Sequence, residues 1–162
     1  MMVLRYSRHR KVFIIAAVIT VFSLLYVCVL SPRLDRHHVT TMLKLTELPA
    51  SVSDIECASY GFTDVLERCA FAVDASDFEP LLDGYDFSSE QICSSELNPA
   101  RCIDSEGAPI TNHTFCCGPV VGSDFPVAQI YVANPSTFEH GGSVTVITNS
   151  EQTLAMVDLY IE

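Results

Sequence analysis

Hydrophobic positions change their spacing along this chain, and each change marks a different kind of segment. Val12 to Leu30 is predominantly apolar and carries no charged side chain. As an α-helix rising about 1.5 Å per residue, the run reaches roughly 28 Å, close to the hydrocarbon thickness of a bilayer. Lipid offers the backbone no hydrogen-bond partners, so a helix is expected there despite the many Val and Ile residues. Tyr26 suits an interfacial position and Pro32 marks a stop. The pattern predicts a transmembrane helix at 12–30, with a tail at 1–11 before it and a juxtamembrane stalk at 31–47 after it. The exit Tyr26-Val27-Cys28-Val29-Leu30 has no small-residue cleavage pattern, and Val27 is too bulky to precede a lipid-modified cysteine. The run therefore reads as an uncleaved anchor.

From Leu48-Pro49 the spacing shifts toward alternation. Ser53 to Tyr60 and Thr63 to Val73 read as two strands around a turn at Gly61, with Val65, Cys69, Phe71 and Val73 on one face and only Glu67 interrupting them. Ser76 and Glu79 have the spacing of a capping box, which predicts a short helix through Leu81 and Leu82 ending at Gly84. Ser88 to Pro126 shows no sustained period. One helical turn is expected at Ser89 to Ser95, and the rest is expected to be irregular backbone held by cross-links. Val127 to Ala133, Ser143 to Asn149 and Thr153 to Ile161 are again apolar and β-branched or aromatic, and short connections join them into an antiparallel meander. In the last strand Ala155, Val157, Leu159 and Ile161 form the expected core face. The fold class predicted is α+β: a domain at 48–162 of about five antiparallel strands, one or two short helices and a stapled loop.

Charge sharpens this division. Arg5, Arg8, Arg10 and Lys11 precede the apolar run, whereas all 20 acidic residues lie beyond it, from Asp35 onward. Basic flanks stay cytoplasmic, which places 1–11 inside and 31–162 outside. The formal charge of −11 argues against a nucleic-acid partner, because phosphate recognition needs a basic face. The stalk carries Arg33, Arg36, His37, His38 and Lys44 and reads as a solvated spacer.

Cys28 falls within the apolar run. Cys57, Cys69, Cys93, Cys102, Cys116 and Cys117 all fall in the domain placed outside, where an even set of cysteines predicts three disulfides with the pairing left open. No C-x-x-C spacing suggests a thiol oxidoreductase. His113, Cys116 and Cys117 form the one candidate soft-metal site, though they lack the paired spacing of zinc sites. Asp74, Asp77 and Glu79, or Asp83 with Asp86, are candidate calcium ligands without the alternation of an EF-hand loop. Asn112-His113-Thr114 is a glycosylation sequon, relevant only in a eukaryotic source. The chain carries no nucleophile elbow, phosphate-binding glycine loop or H-E-x-x-H, and neither catalytic residue nor cofactor is expected.

The stretch from Leu48-Pro49 through Asp64, Cys69-Ala70-Phe71, Asp77-Phe78 and Leu81-Leu82-Asp83-Gly84 resembles outer-domain segments of membrane-anchored bacterial envelope proteins. That resemblance implies an inner-membrane protein facing the periplasm and brings no catalytic residue with it. The function expected is a non-enzymatic accessory module, a peripheral subunit presenting an acidic, stapled domain to a protein partner. The alternative is an envelope metal-handling protein or enzyme using His113, Cys116 and Cys117, or an acidic cluster.

Overall fold

A computed structural model describes residues 15, 18–20, 31–61, 64–91, 107–115 and 120–162. The chain divides into two compact units, Met1–Asp35 and Arg36–Glu162. In the first, Ile15, Val18 and Ile19 are helical and 59%, 48% and 60% exposed. Among the described residues, no helix is long and apolar enough to cross a membrane. Most of 12–30 and all of the basic tail at 1–11 lie outside them.

The second unit is built on one antiparallel sheet of six strands: β1 (Ser53–Tyr60), β2 (Val65–Ala72), β3 (Ser88–Gln91), β4 (Gln129–Ala133), β5 (Gly142–Thr148) and β6 (Leu154–Ile161). Their spatial order is β1-β2-β6-β5-β4-β3. After the first hairpin the chain crosses to the far edge, and the expected meander of β4, β5 and β6 returns to pair with β2. The additional strand is β3. Its Ser-Ser-Glu-Gln sequence has no apolar alternation, and it occupies residues expected to form a helical turn. Pairing with β4 supplies the hydrogen bonds that make it a strand, a tertiary contribution that local pattern does not carry.

Strand parity sorts the side chains onto two faces. Cys69, Phe71, Tyr131, Val144, Val146, Ala155 and Val157 line the first, packed under Val39, Met42, Leu43, Leu48, Phe78 and Leu81. Leu159 packs against this cluster, so most of the expected core face of the last strand is present there. Ala70, Ile130, Ile147 and Met156 line the second face, beneath Val121, Phe125 and Val127. Both faces of the centre are therefore buried, where a one-sided core was expected.

The segment read as a solvated spacer is largely a helix, α1 (Ser31–Met42). Val39, Met42 and Leu43 have the i, i+3, i+4 spacing of one helix face and are 0%, 1% and 0% exposed. Arg36 ties this end of the molecule together, donating from Nη1 to the Val52 carbonyl (2.6 Å) and from Nη2 to those of Leu48 (3.2 Å) and Pro49 (3.0 Å). His38 Nε2 lies 3.2 Å from Glu67 Oε2 on β2, close enough for an ion pair but without a hydrogen bond's alignment. This contact accounts for the one acid interrupting the apolar face of β2.

The expected capping-box helix is instead two short 3₁₀ turns, Ala75–Asp77 and Glu79–Leu82, with no side-chain cap at either start. Pro80 has no N–H to donate, which suits the start of a short turn and not the interior of a longer helix. Gly84 is not a left-handed cap either. It is required by close approach: a Cβ there would lie 1.8 Å from the carbonyl oxygen of Leu43.

Candidate functional site

A cavity of about 390 Å³ opens where the end of α1, the turn after the second 3₁₀ segment and the β4–β5 connection meet. Lys44, Asp83, Gly84, Tyr85, Asp86 and the loop from Ala133 to Thr137 line it. Backbone geometry places the lysine. Leu45 N–H donates to the Thr40 carbonyl (2.9 Å) and Lys44 N–H to that of Thr41 (3.1 Å), the pair of bonds that closes a helix in a Schellman motif. The motif requires a left-handed residue after the helix, and Lys44 fills it at φ 54°. Glycine normally takes this position because a Cβ raises its energy.

The lysine ammonium rests 5.6 Å from the centroid of the Tyr85 ring. Burial pushes the Tyr85 phenol above its ordinary value, so the ring stays neutral beside the cation. Among the described residues, no ion pair joins Lys44 to Asp83 or Asp86, although all three line the same cleft. Asn134, Ser136 and Thr137 add an amide and two hydroxyls. The arrangement offers both signs of charge and several hydrogen-bonding groups, and so suits recognition of a small polar molecule. Sequence pattern identified Asp83 and Asp86 only as candidate calcium ligands. It left Lys44 in the stalk and missed the 133–137 loop, because residues so far apart meet only through the sheet topology.

The other candidates separate. Cys57 and Cys69 are bonded to each other, with Cα atoms 4.1 Å apart as register partners on β1 and β2. Cys93, Cys102, Cys116 and Cys117 lie outside the described residues, and so does any metal site built on the last two. His113 belongs to the short helix α2 (Asn112–Phe115), with Nδ1 3.6 Å from Asp124 Oδ1 and a buried Nε2 that has no hydrogen-bond partner among the described residues. Within those residues no three His, Cys, Asp or Glu side chains gather as a metal site. Asp77 is occupied structurally, accepting a 2.6 Å hydrogen bond from Ser51 Oγ, while Asp74 and Glu79 are exposed. Asn112 is 0% exposed, and its amide donates to the Ser123 carbonyl and accepts from Phe125 N–H. The folded sequon asparagine is therefore inaccessible to glycan transfer. No family model, curated protein or solved structure matches this chain.

Proposed function

We propose that this protein is a single-pass, membrane-anchored accessory module that presents an acidic, disulfide-stabilised domain outside the cytoplasm to a protein partner with a basic surface. The observation that carries this reading is the inward use of Arg36 and Arg68 beside a set of solvent-facing acids. Arg36 is spent on three backbone carbonyls and Arg68 on Asp158, whereas Asp54, Asp64, Asp74, Glu79, Glu139 and Glu151 face solvent. Such solvent-facing acids make the surface field negative, and a negative field steers a cationic partner and raises its association rate. The Cys57–Cys69 bridge supports an oxidising compartment, the periplasm if the inner membrane of a bacterium is the host. Exposed Ile15, Val18 and Ile19, three apolar side chains at helical spacing, support lipid contact for the 12–30 run.

Two measurements test this reading. Protease applied to spheroplasts should remove the C-terminal domain and spare the anchor, and a protected C terminus would overturn the topology. For a partner recovered by cross-linking in membranes, salt should slow association, because exposed charges are screened within about 10 Å at 0.1 M. Asp74→Asn with Glu79→Gln should reproduce part of that effect without loss of thermal stability. Association indifferent to both salt and neutralisation would refute steering.

A second reading, metal handling at His113 with Cys116 and Cys117, is favoured by His113 Nε2, which has no hydrogen-bond partner among the described residues. Blocked thiols and a metal-free native protein would exclude it.

A further inference from the structure

We propose that the cleft between Lys44, the Asp83–Asp86 turn and the Asn134–Thr137 loop is a binding site for a small zwitterion, a molecule carrying both a carboxylate and an ammonium group, as in a free amino acid or a short peptide. The inference is independent of the anchor and of any protein partner.

Charge complementarity selects the ligand class. A simple anion meets Lys44 but also two aspartates, and a simple cation meets both aspartates but also Lys44. An uncharged polyol would displace water from all three charges and replace it with weaker partners. A zwitterion satisfies both signs at once, with its carboxylate toward Lys44 and its ammonium toward Asp83 and Asp86. Asn134, Ser136 and Thr137 provide the donors and acceptors that a peptide group or an amino-acid side chain requires. A volume of about 390 Å³ lies within the range of small-molecule sites, about 300–1,000 Å³.

Lys44 has two features that a merely solubilising lysine lacks. Its position favours glycine, and any residue of the preceding turn could have carried a cation toward the helix C-terminus without left-handed backbone. Its ammonium is also held on the Tyr85 ring, away from the neighbouring carboxylates that would otherwise neutralise it. Gly84 completes the cleft, since only a residue without a Cβ allows the aspartate-bearing turn to press against Leu43 and Lys44.

The test uses the full chain in detergent micelles with glycylglycine as probe, followed by amide chemical shifts and calorimetry. Saturable binding with a Kd of about 1 mM or tighter is expected, with shifts centred on Lys44, Tyr85 and Asn134. Acetate and methylammonium, each alone, should bind at least about tenfold more weakly, the equivalent of about 1.4 kcal/mol. Lys44→Gly removes the charge while suiting the left-handed position, so its fold is preserved, and it should weaken glycylglycine about tenfold, whereas Lys44→Arg should retain binding. Asp83→Asn with Asp86→Asn should cost a similar factor. No saturation by about 10 mM, equal binding of acetate, or indifference to Lys44→Gly would overturn the proposal, and none of these outcomes bears on membrane anchoring or partner docking.

Discussion

Arg68 and Asp158 are register partners on β2 and β6 and meet through two side-chain hydrogen bonds, Nε to Oδ1 at 2.5 Å and Nη2 to Oδ2 at 3.0 Å, with the two residues only 2% and 8% exposed. They sit on the second face, one row from the apolar row of Ala70, Met156, Ile147 and Ile130. Desolvating both ions offsets most of their attraction, so the pair adds little net stability, but removing Arg68 takes from the buried Asp158 carboxylate its counter-ion. Arg68→Met is expected to lose about 3–5 kcal/mol in urea unfolding. The joint replacement Arg68→Met with Asp158→Leu should recover most of that loss. A single variant as stable as the parent would show that the pair is not buried in solution.

The Cys57–Cys69 bridge closes the first hairpin over a separation of 12 residues. Short loops lose little entropy on closure, so the bridge is expected to contribute about 2–3 kcal/mol, the low end for disulfides. Tryptic digestion without reduction should yield a fragment ending at Arg68 joined to one beginning at Cys69. Recovery of Cys57 or Cys69 itself with a free or differently paired thiol would contradict the register of β1 and β2.

Gly122 pins the loop that covers the second face. Its N–H donates to Glu56 Oε2 at 2.9 Å, its φ is +68°, and a Cβ there would lie 2.4 Å from the Cβ of Ala70. Gly122→Ala combines strain with overpacking and should cost about 1–3 kcal/mol. Hydrogen exchange should accelerate at Phe125 and Val127 more than at Val146. Uniform protection across all three would indicate that the loop is not held by this contact.

Tyr131 ties high-pH stability to the first face. Its pKa is raised chiefly by burial, opposed by the hydrogen bond with Gln152 and reinforced by the charge of Glu79. The unfolded phenol ionises near its ordinary value of about 10, whereas the folded one ionises later. Stability is thus fully present below about pH 10 and is lost as pH rises through the folded pKa. Denaturation midpoints measured from pH 9 to pH 11 should fall, at about those limits. Tyr131→Phe should flatten part of that decline, and an unchanged slope would remove Tyr131 from the account.

Some of this structure was legible because the information is local. Alternation in Val144, Val146, Ala155 and Val157, together with the short connection at Asn149 to Gln152, specifies β5 and β6 and their antiparallel pairing, since a one-residue slip would move every buried side chain to the wrong face. The nearness of Cys57 and Cys69 across a turn belongs in the same class, although the sequence left their pairing open among six cysteines.

Other features are set by distant partners. Helix α1 carries only a sparse apolar stripe, and Val39, Met42 and Leu43 become core because the sheet supplies a surface for them. Polar β3 is a strand because β4 is beside it. Arg68 and Asp158 lie 90 residues apart and are buried together only through the register of β2 against β6. The cleft at Lys44 belongs wholly to this second class. Charge pattern along the chain marks the acidic character of the domain, but only the crossing of α1 over the sheet brings Lys44 to Asp83 and Asn134. A local sequence encodes the conformational preference of its own backbone and the faces of its own strands. Which charges are desolvated, and which meet across a cleft, depends on long-range packing that no short window of residues contains.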